Sequence, residues 1–254
     1  MTNAYAEIQR ELAKTRTLLY FDIETRPIKV WAWGLGKQYV THEQICEESK
    51  VISIQWMFEG DTEVSWQTWD SKQDDKSMLQ RFTRAVAGAR VAISQNGRNF
   101  DHKVLNWRMN VQGLPPLDKV TIYDTLTLSR AAFRPPSHKL DYRSKAYGLG
   151  GKLRMHLPDW IDVVERKPGA LEKMVRYGCK DILDLRTIFW RELPYYKKLP
   201  ADLYLLINPK PDRVACPRCA AAHQTKFQTL PENHKNKTYY RCTRCENLWI
   251  PKLS

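Results

Sequence analysis

No apolar run in this 254-residue chain approaches the roughly 20 residues that a membrane-spanning helix needs. Its opening stretch, MTNAYAEIQRELAKTR, mixes charges and lacks the apolar core of a secretory signal. Neither secretion nor a membrane partner is expected. Cysteine is scarce as well. Of six, four fall in two C-x-x-C pairs, Cys216/Cys219 and Cys242/Cys245, while Cys46 and Cys179 stand alone. A secreted disulfide scaffold would be smaller and would spread its cysteines more evenly. The paired spacing points instead to a reducing, cytoplasmic compartment and to a metal. Carboxylates are outnumbered, 28 Asp and Glu against 41 Lys and Arg, which leaves a net charge of +13. That excess calls for an acidic partner, nucleic acid first. There is no internal repeat and no low-complexity tract. At 43% hydrophobic, the chain has too much apolar content to be disordered and enough for a sizeable core.

The patterns that are present alternate strand with helix. Leu18–Glu24 reads as a buried strand, Val51–Phe58 and Thr62–Trp69 as two more across the Glu59-Gly60-Asp61 turn, and Val91–Ser94 as a fourth. Helical spacing marks Asp75–Ala87 and Asp101–Met109. Thr121–Phe133 reads as a short strand or turn and then a helix. Ala170–Glu192 carries the clearest apolar stripe, from Leu171 to Phe189. Residues 138–154 read either as a solvated basic helix with a Gly-rich connector or as a lobe that touches substrate. Together these predict an α/β domain over residues 1–205 with a mixed sheet.

Residues 206–254 form a linker and a segment too small for its own core, so it needs a staple. Cys216, Cys219, Cys242 and Cys245 supply four thiolates for one structural Zn²⁺, and the segment looks like a zinc ribbon. His223 and His234 are alternative donors. Nine Lys and Arg against three acids give residues 209–254 a charge of +6. Lys226, Lys235, Lys237, Tyr239 and Arg241 would suit nucleic acid by charge and stacking. A ribbon that binds a replication or repair protein is the alternative.

Three acidic motifs stand in order. Asp22-Ile23-Glu24 ends the first strand, where residues two apart share a face. Asn96-Gly97-Arg98-Asn99-Phe100-Asp101 delivers Asp101 at a helix start. Tyr177-Gly178-Cys179-Lys180-Asp181 puts Tyr177 and Asp181 on one helix face. Singly, each has an ordinary explanation: Asp101, for instance, would serve as a helix cap. As a set, FDIET, NGRNFD and YGCKD resemble the DEDD superfamily of 3′→5′ exonucleases, in the Tyr-bearing DEDDy branch that includes polymerase proofreading domains. Asp124-Thr125-Leu126 and HKLDYRSKAYGLGGK also resemble intervening family segments, and the likeness covers roughly residues 17–195. It implies an RNase H-like five-stranded mixed sheet flanked by helices and two Mg²⁺ or Mn²⁺ ions. By that resemblance, Asp22 bridges the ions, Glu24 and Asp181 complete the first site, Asp101 serves the second and Tyr177 orients the attacking water. Asn96 and Phe100 would contact the nucleic acid. Single-stranded DNA is the expected substrate, with RNA the alternative.

Overall fold

The computed structural model describes residues 9–10, 12–117, 120–150 and 153–196 in full, and the backbone of three strands beyond them. Residues up to 196 are built on a five-stranded sheet. Its strands are β1 (Leu18–Thr25), β4 (Val51–Phe58), β5 (Ser65–Thr68), β6 (Val91–Ser94) and β7 (Thr121–Asp124). Their order is β5-β4-β1-β6-β7, with β5, β4 and β1 antiparallel and β6 and β7 running parallel to β1. A separate two-stranded ribbon, β2 (Lys29–Val30) with β3 (Ile45–Glu47), follows β1. The helices are α1 (Lys76–Ala85), α2 (Asp101–Val111), α3 (Thr125–Ala132), α4 (Leu140–Ala146), α5 (Leu157–Val164) and α6 (Ala170–Glu192). This is an α/β fold with a mixed sheet flanked by helices. Among the described residues, no helix is long and apolar enough to cross a membrane.

The period-2 alternation of β1 divides the core. Leu19, Phe21 and Ile23 pack with Met78, Leu79 and Phe82 of α1 and Leu105 and Met109 of α2. Leu18 and Tyr20 turn the other way, against Ile182, Leu185 and Phe189 of α6. Two buried charge networks tie the layers together. Asp75, fully buried just before α1, accepts from Arg108 of α2 at 2.7 and 2.9 Å and from the Val51 N–H of β4 at 3.1 Å. Glu59, at the end of β4, accepts from Tyr20 Oη and Trp190 Nε1, both at 2.7 Å, and from Arg186.

Several expected boundaries shift. The strand expected over Thr62–Trp69 is the shorter β5, whose pairing with β4 begins only at Ser65, opposite Trp56, and ends at Thr68, opposite Ser53. The solvated basic helix over 138–154 is the seven-residue α4, and it is not simply solvated. Arg143 is buried, donating to Glu192 at 2.8 Å and to Gln95.

Beyond residue 196, β8 (Gln224–Glu232), β9 (Lys235–Cys242) and β10 (Leu248–Trp249) form an antiparallel sheet in the order β10-β9-β8. Lys226 pairs with Tyr240, Lys235 with Glu232, Lys237 with Leu230, Tyr239 with Phe227 and Arg241 with Thr225. Of these residues, only Tyr240 and Arg241 have described side chains. Cys216, Cys219 and Cys245 lie outside the described residues, as do His223 and His234, and Cys242 is described as backbone alone.

Candidate active site

The parallel pairing of β1 with β6 stops at Tyr20 and Ile93, while β1 runs on to Thr25 beside β4. That divergence opens the sheet next to Asp22 and Glu24. The backbone takes a partner from outside it there: the Ile23 N–H donates to Asp101 Oδ1 at 3.1 Å. Asp101 is therefore not the cap of its helix. The cap position belongs to Phe100, and Asp101 is the first residue of α2, its carboxyl turned to β1.

A tight loop aims Asp101 there. Asn96 sits in the left-handed region at φ 63°, and its carbonyl accepts from the Asn99 and Phe100 N–H groups at 3.1 and 3.0 Å. The Asn96 N–H donates to Asp124 Oδ1 at 2.9 Å, so Asn96 holds the loop, while Phe100 is left exposed. A Cβ on Gly97 would lie 1.7 Å from Ser94 Oγ and 2.5 Å from Ser94 Cβ. Ser94 is fully buried and its Cβ belongs to β6, so it cannot yield. Gly97→Ala should destabilise by about 1–3 kcal/mol, as overpacking does. It should also cut any activity that depends on Asp101. Restoring both by adding Ser94→Gly, read by thermal unfolding and initial rate, would tie the loss to this contact; failure of the second change to help would break the link.

Helix α6 brings the third motif. Gln55 stands opposite Asp22 in the β1–β4 register, and a Cβ at Gly178 would come within 2.5 Å of the Gln55 side chain. The glycine thus lets α6 lie close on the sheet beside Asp22. Tyr177 and Asp181, on either side of it in sequence, share a hydrogen bond. Tyr177 also meets Trp160 of α5 edge to face, ring centroids 6.3 Å apart. Lys180 pairs with Asp184 one turn on.

The electrostatics join the motifs. Burial pushes the Tyr177 hydroxyl well above the usual phenol range, and the Asp181, Glu24 and Asp22 carboxylates push the same way. Tyr177 therefore stays protonated at neutral pH and can act as a hydrogen-bond donor, not as a base. Asp101 shares a hydrogen bond with Asp22. Burial raises its carboxyl above the usual range and the Asp124 charge adds to this, against the lowering effect of the Ile23 N–H. Glu24, Asp101 and Asp181 are all buried, and Asp22 is half-buried. Buried carboxylates gathered in one region repel and lose hydration, so the arrangement favours protons or cations. As placed, no three His, Cys, Asp or Glu side chains among the described residues form a group that could hold a metal ion. The chemistry of the donors nonetheless fits a hard divalent cation, which takes oxygen ligands.

Sequence reasoning missed three contributors: Gln55, Trp160, and Asp124 as a source of charge at Asp101. Asp124 accepts two backbone N–H groups through Oδ1, while its buried Oδ2 has no hydrogen-bond partner. The Asp124-Thr125-Leu126 segment was the one available signal.

No family model matches this chain, and neither does any curated protein. Among solved structures, it is similar to the family B DNA polymerase from the hyperthermophilic archaeon Pyrobaculum calidifontis. The TM-score is 0.51 at 15% identity, over 74% of this chain. The match spans a quarter of the polymerase's length, 25%. At that identity the likeness is one of fold, shared with part of that polymerase.

Proposed function

We propose that the protein is a metal-dependent 3′→5′ exonuclease of the DEDDy type acting on single-stranded DNA, with a C-terminal zinc ribbon held by Cys216, Cys219, Cys242 and Cys245. The observation that carries the reading is the meeting of all three acidic motifs at the opening between β1 and β6. Asp101 bonds to Asp22 and to β1, while Tyr177 feels Asp181, Glu24 and Asp22. Likeness to part of a DNA polymerase supports it at the level of fold.

Asp22, Glu24, Asp101 and Asp181 would hold the two cations. Such ions lower the pKa of a water and stabilise the leaving oxygen of a phosphodiester. The chain's own part is positioning. The Tyr177 O–H would orient the water, fixed by the edge contact with Trp160. Phe100, exposed at the lip of the site, would bear on the terminal nucleotide.

The test is a 5′-labelled single-stranded oligonucleotide incubated with the full chain and Mg²⁺ or Mn²⁺. A ladder shortening from the 3′ end, abolished by EDTA, is expected. A rival reading is a nucleic-acid-binding platform without turnover, since among the described residues no three His, Cys, Asp or Glu side chains form a group that could hold a metal ion. Binding with no shortening in either metal would establish that rival.

A further inference from the structure

Between Glu24 and Glu43 the chain has no carboxylate, yet it carries Arg26, Lys29 and Lys37 together with Trp31, Trp33 and Tyr39. The structure puts most of this segment in a loop joining β2 to β3. Its neck is closed by the Trp31 N–H donating to the Gln44 carbonyl and by Gln44 Nε2 donating to the Trp31 carbonyl, both at 2.9 Å. Beyond the neck the aromatics are turned out. Trp33 is 102% exposed, Tyr39 91% and Trp31 77%. Arg26 and Lys29 both lean on Glu47 at the base, while Lys37 stands exposed in the middle of the loop.

The loop is also continuous with the candidate site. It departs from the end of β1 that carries Asp22 and Glu24. Trp160, which touches Tyr177, lies on α5, and the exposed Leu157 and Ile161 of that helix line a groove of about 430 Å³ with Ile28 and Val30. Helix α5 thus touches Tyr177 through Trp160 and borders, with β2 at the foot of the loop, the same groove.

We propose that the loop Trp31–Gln44 is a stacking arm that grips the unpaired strand of a nucleic acid away from the end being cut. Several features select this occupant over a protein. The aromatics are presented on a loop rather than as one closed apolar patch, every base offers a face to stack on, and Lys37 stands exposed among them where a phosphate would pass. The arm rests on the exonuclease reading for its position in the reaction, but not for its capacity to bind.

The experiment measures binding of a labelled twelve-residue oligothymidylate to the full chain by fluorescence anisotropy in EDTA, so that cleavage does not enter. Trp33→Ala and Tyr39→Ala should each weaken binding by about tenfold, the scale of one lost base stack. Trp33→Phe should stay close to wild type. Trp107→Ala, which removes an exposed Trp that is on α2 and not part of the arm, should bind as wild type does. Both arm side chains are exposed, so unchanged thermal unfolding should accompany the loss. If Trp33→Ala and Tyr39→Ala bind normally while the wild type cuts DNA, the arm is wrong and the exonuclease reading survives. If binding depends on Trp33 but no metal supports cleavage, the arm stands and the exonuclease reading fails. A wild type that does not bind, or whose Trp33→Ala form changes only self-association in sedimentation, overturns the arm.

Discussion

Asp22→Ala should lower the rate of DNA shortening by about a thousandfold or more, equivalent to roughly 4 kcal/mol of transition-state stabilisation. The size follows from position. Asp22 shares a hydrogen bond with Asp101, its charge reaches Tyr177, and in the proposed mechanism it serves both cations. Its immediate β1 neighbours Phe21 and Ile23 face the opposite core and cannot stand in for it. Stability should move the other way. Removing one of several crowded carboxylates relieves repulsion, so the melting temperature should hold or rise. Initial rates measured beside thermal unfolding separate the two effects. A variant retaining more than about a tenth of wild-type activity would remove Asp22 from the mechanism, since a thousandfold loss is what the chemistry requires.

Arg108→Ala should produce the largest loss of stability, about 3–5 kcal/mol, because it strands a fully buried carboxylate. For a chain of this size that corresponds to a fall in melting temperature of roughly 6–20 °C. Burial alone would raise the Asp75 carboxyl, but the bonds from Arg108, Gln112 and the Val51 N–H outweigh it and hold the group below its usual range. The sign of the pH dependence follows. A carboxyl lower in the folded than in the unfolded state contributes stability above the unfolded pKa near ~4 and loses it as pH falls through the folded value. Wild type should therefore lose stability more steeply than Arg108→Ala in this acid range. Replacing both partners by apolar residues, Asp75→Leu with Arg108→Met, should recover most of the loss. The Val51 N–H would still lack its acceptor and should keep the double variant slightly below wild type. Denaturant unfolding of the single and double variants measures the set, and a double variant no better than Arg108→Ala would contradict the account.

What could be read from the sequence was whatever local periodicity encodes. β4, β6 and α6 match their expected bounds because Val51–Phe58, Val91–Ser94 and Ala170–Glu192 each carry one uninterrupted pattern. The acidic motifs were legible for the same reason: spacing of two on a strand and four on a helix already puts side chains on one face. β2 and β3 were not legible, since strands of two and three residues are too short to show a period. Arg143 looked like part of a solvated helix because its partner Glu192 lies 49 residues away. Asp101 looked like a cap because the Ile23 N–H that claims it comes from another element. Gly178 lies within the YGCKD motif, but its role depends on Gln55 across the interface, which no local pattern reveals.

The central claim is that Asp22, Glu24, Asp101 and Asp181 together form a divalent-cation site for phosphodiester hydrolysis. The most direct measurement is anomalous diffraction from crystals of the full chain grown with Mn²⁺ and a nucleoside 5′-monophosphate. Two manganese peaks about 3.5–4 Å apart, bound by these four carboxylates with the phosphate between them, are predicted. A nucleotide bound elsewhere, or no manganese at the four carboxylates at saturating metal, would contradict it.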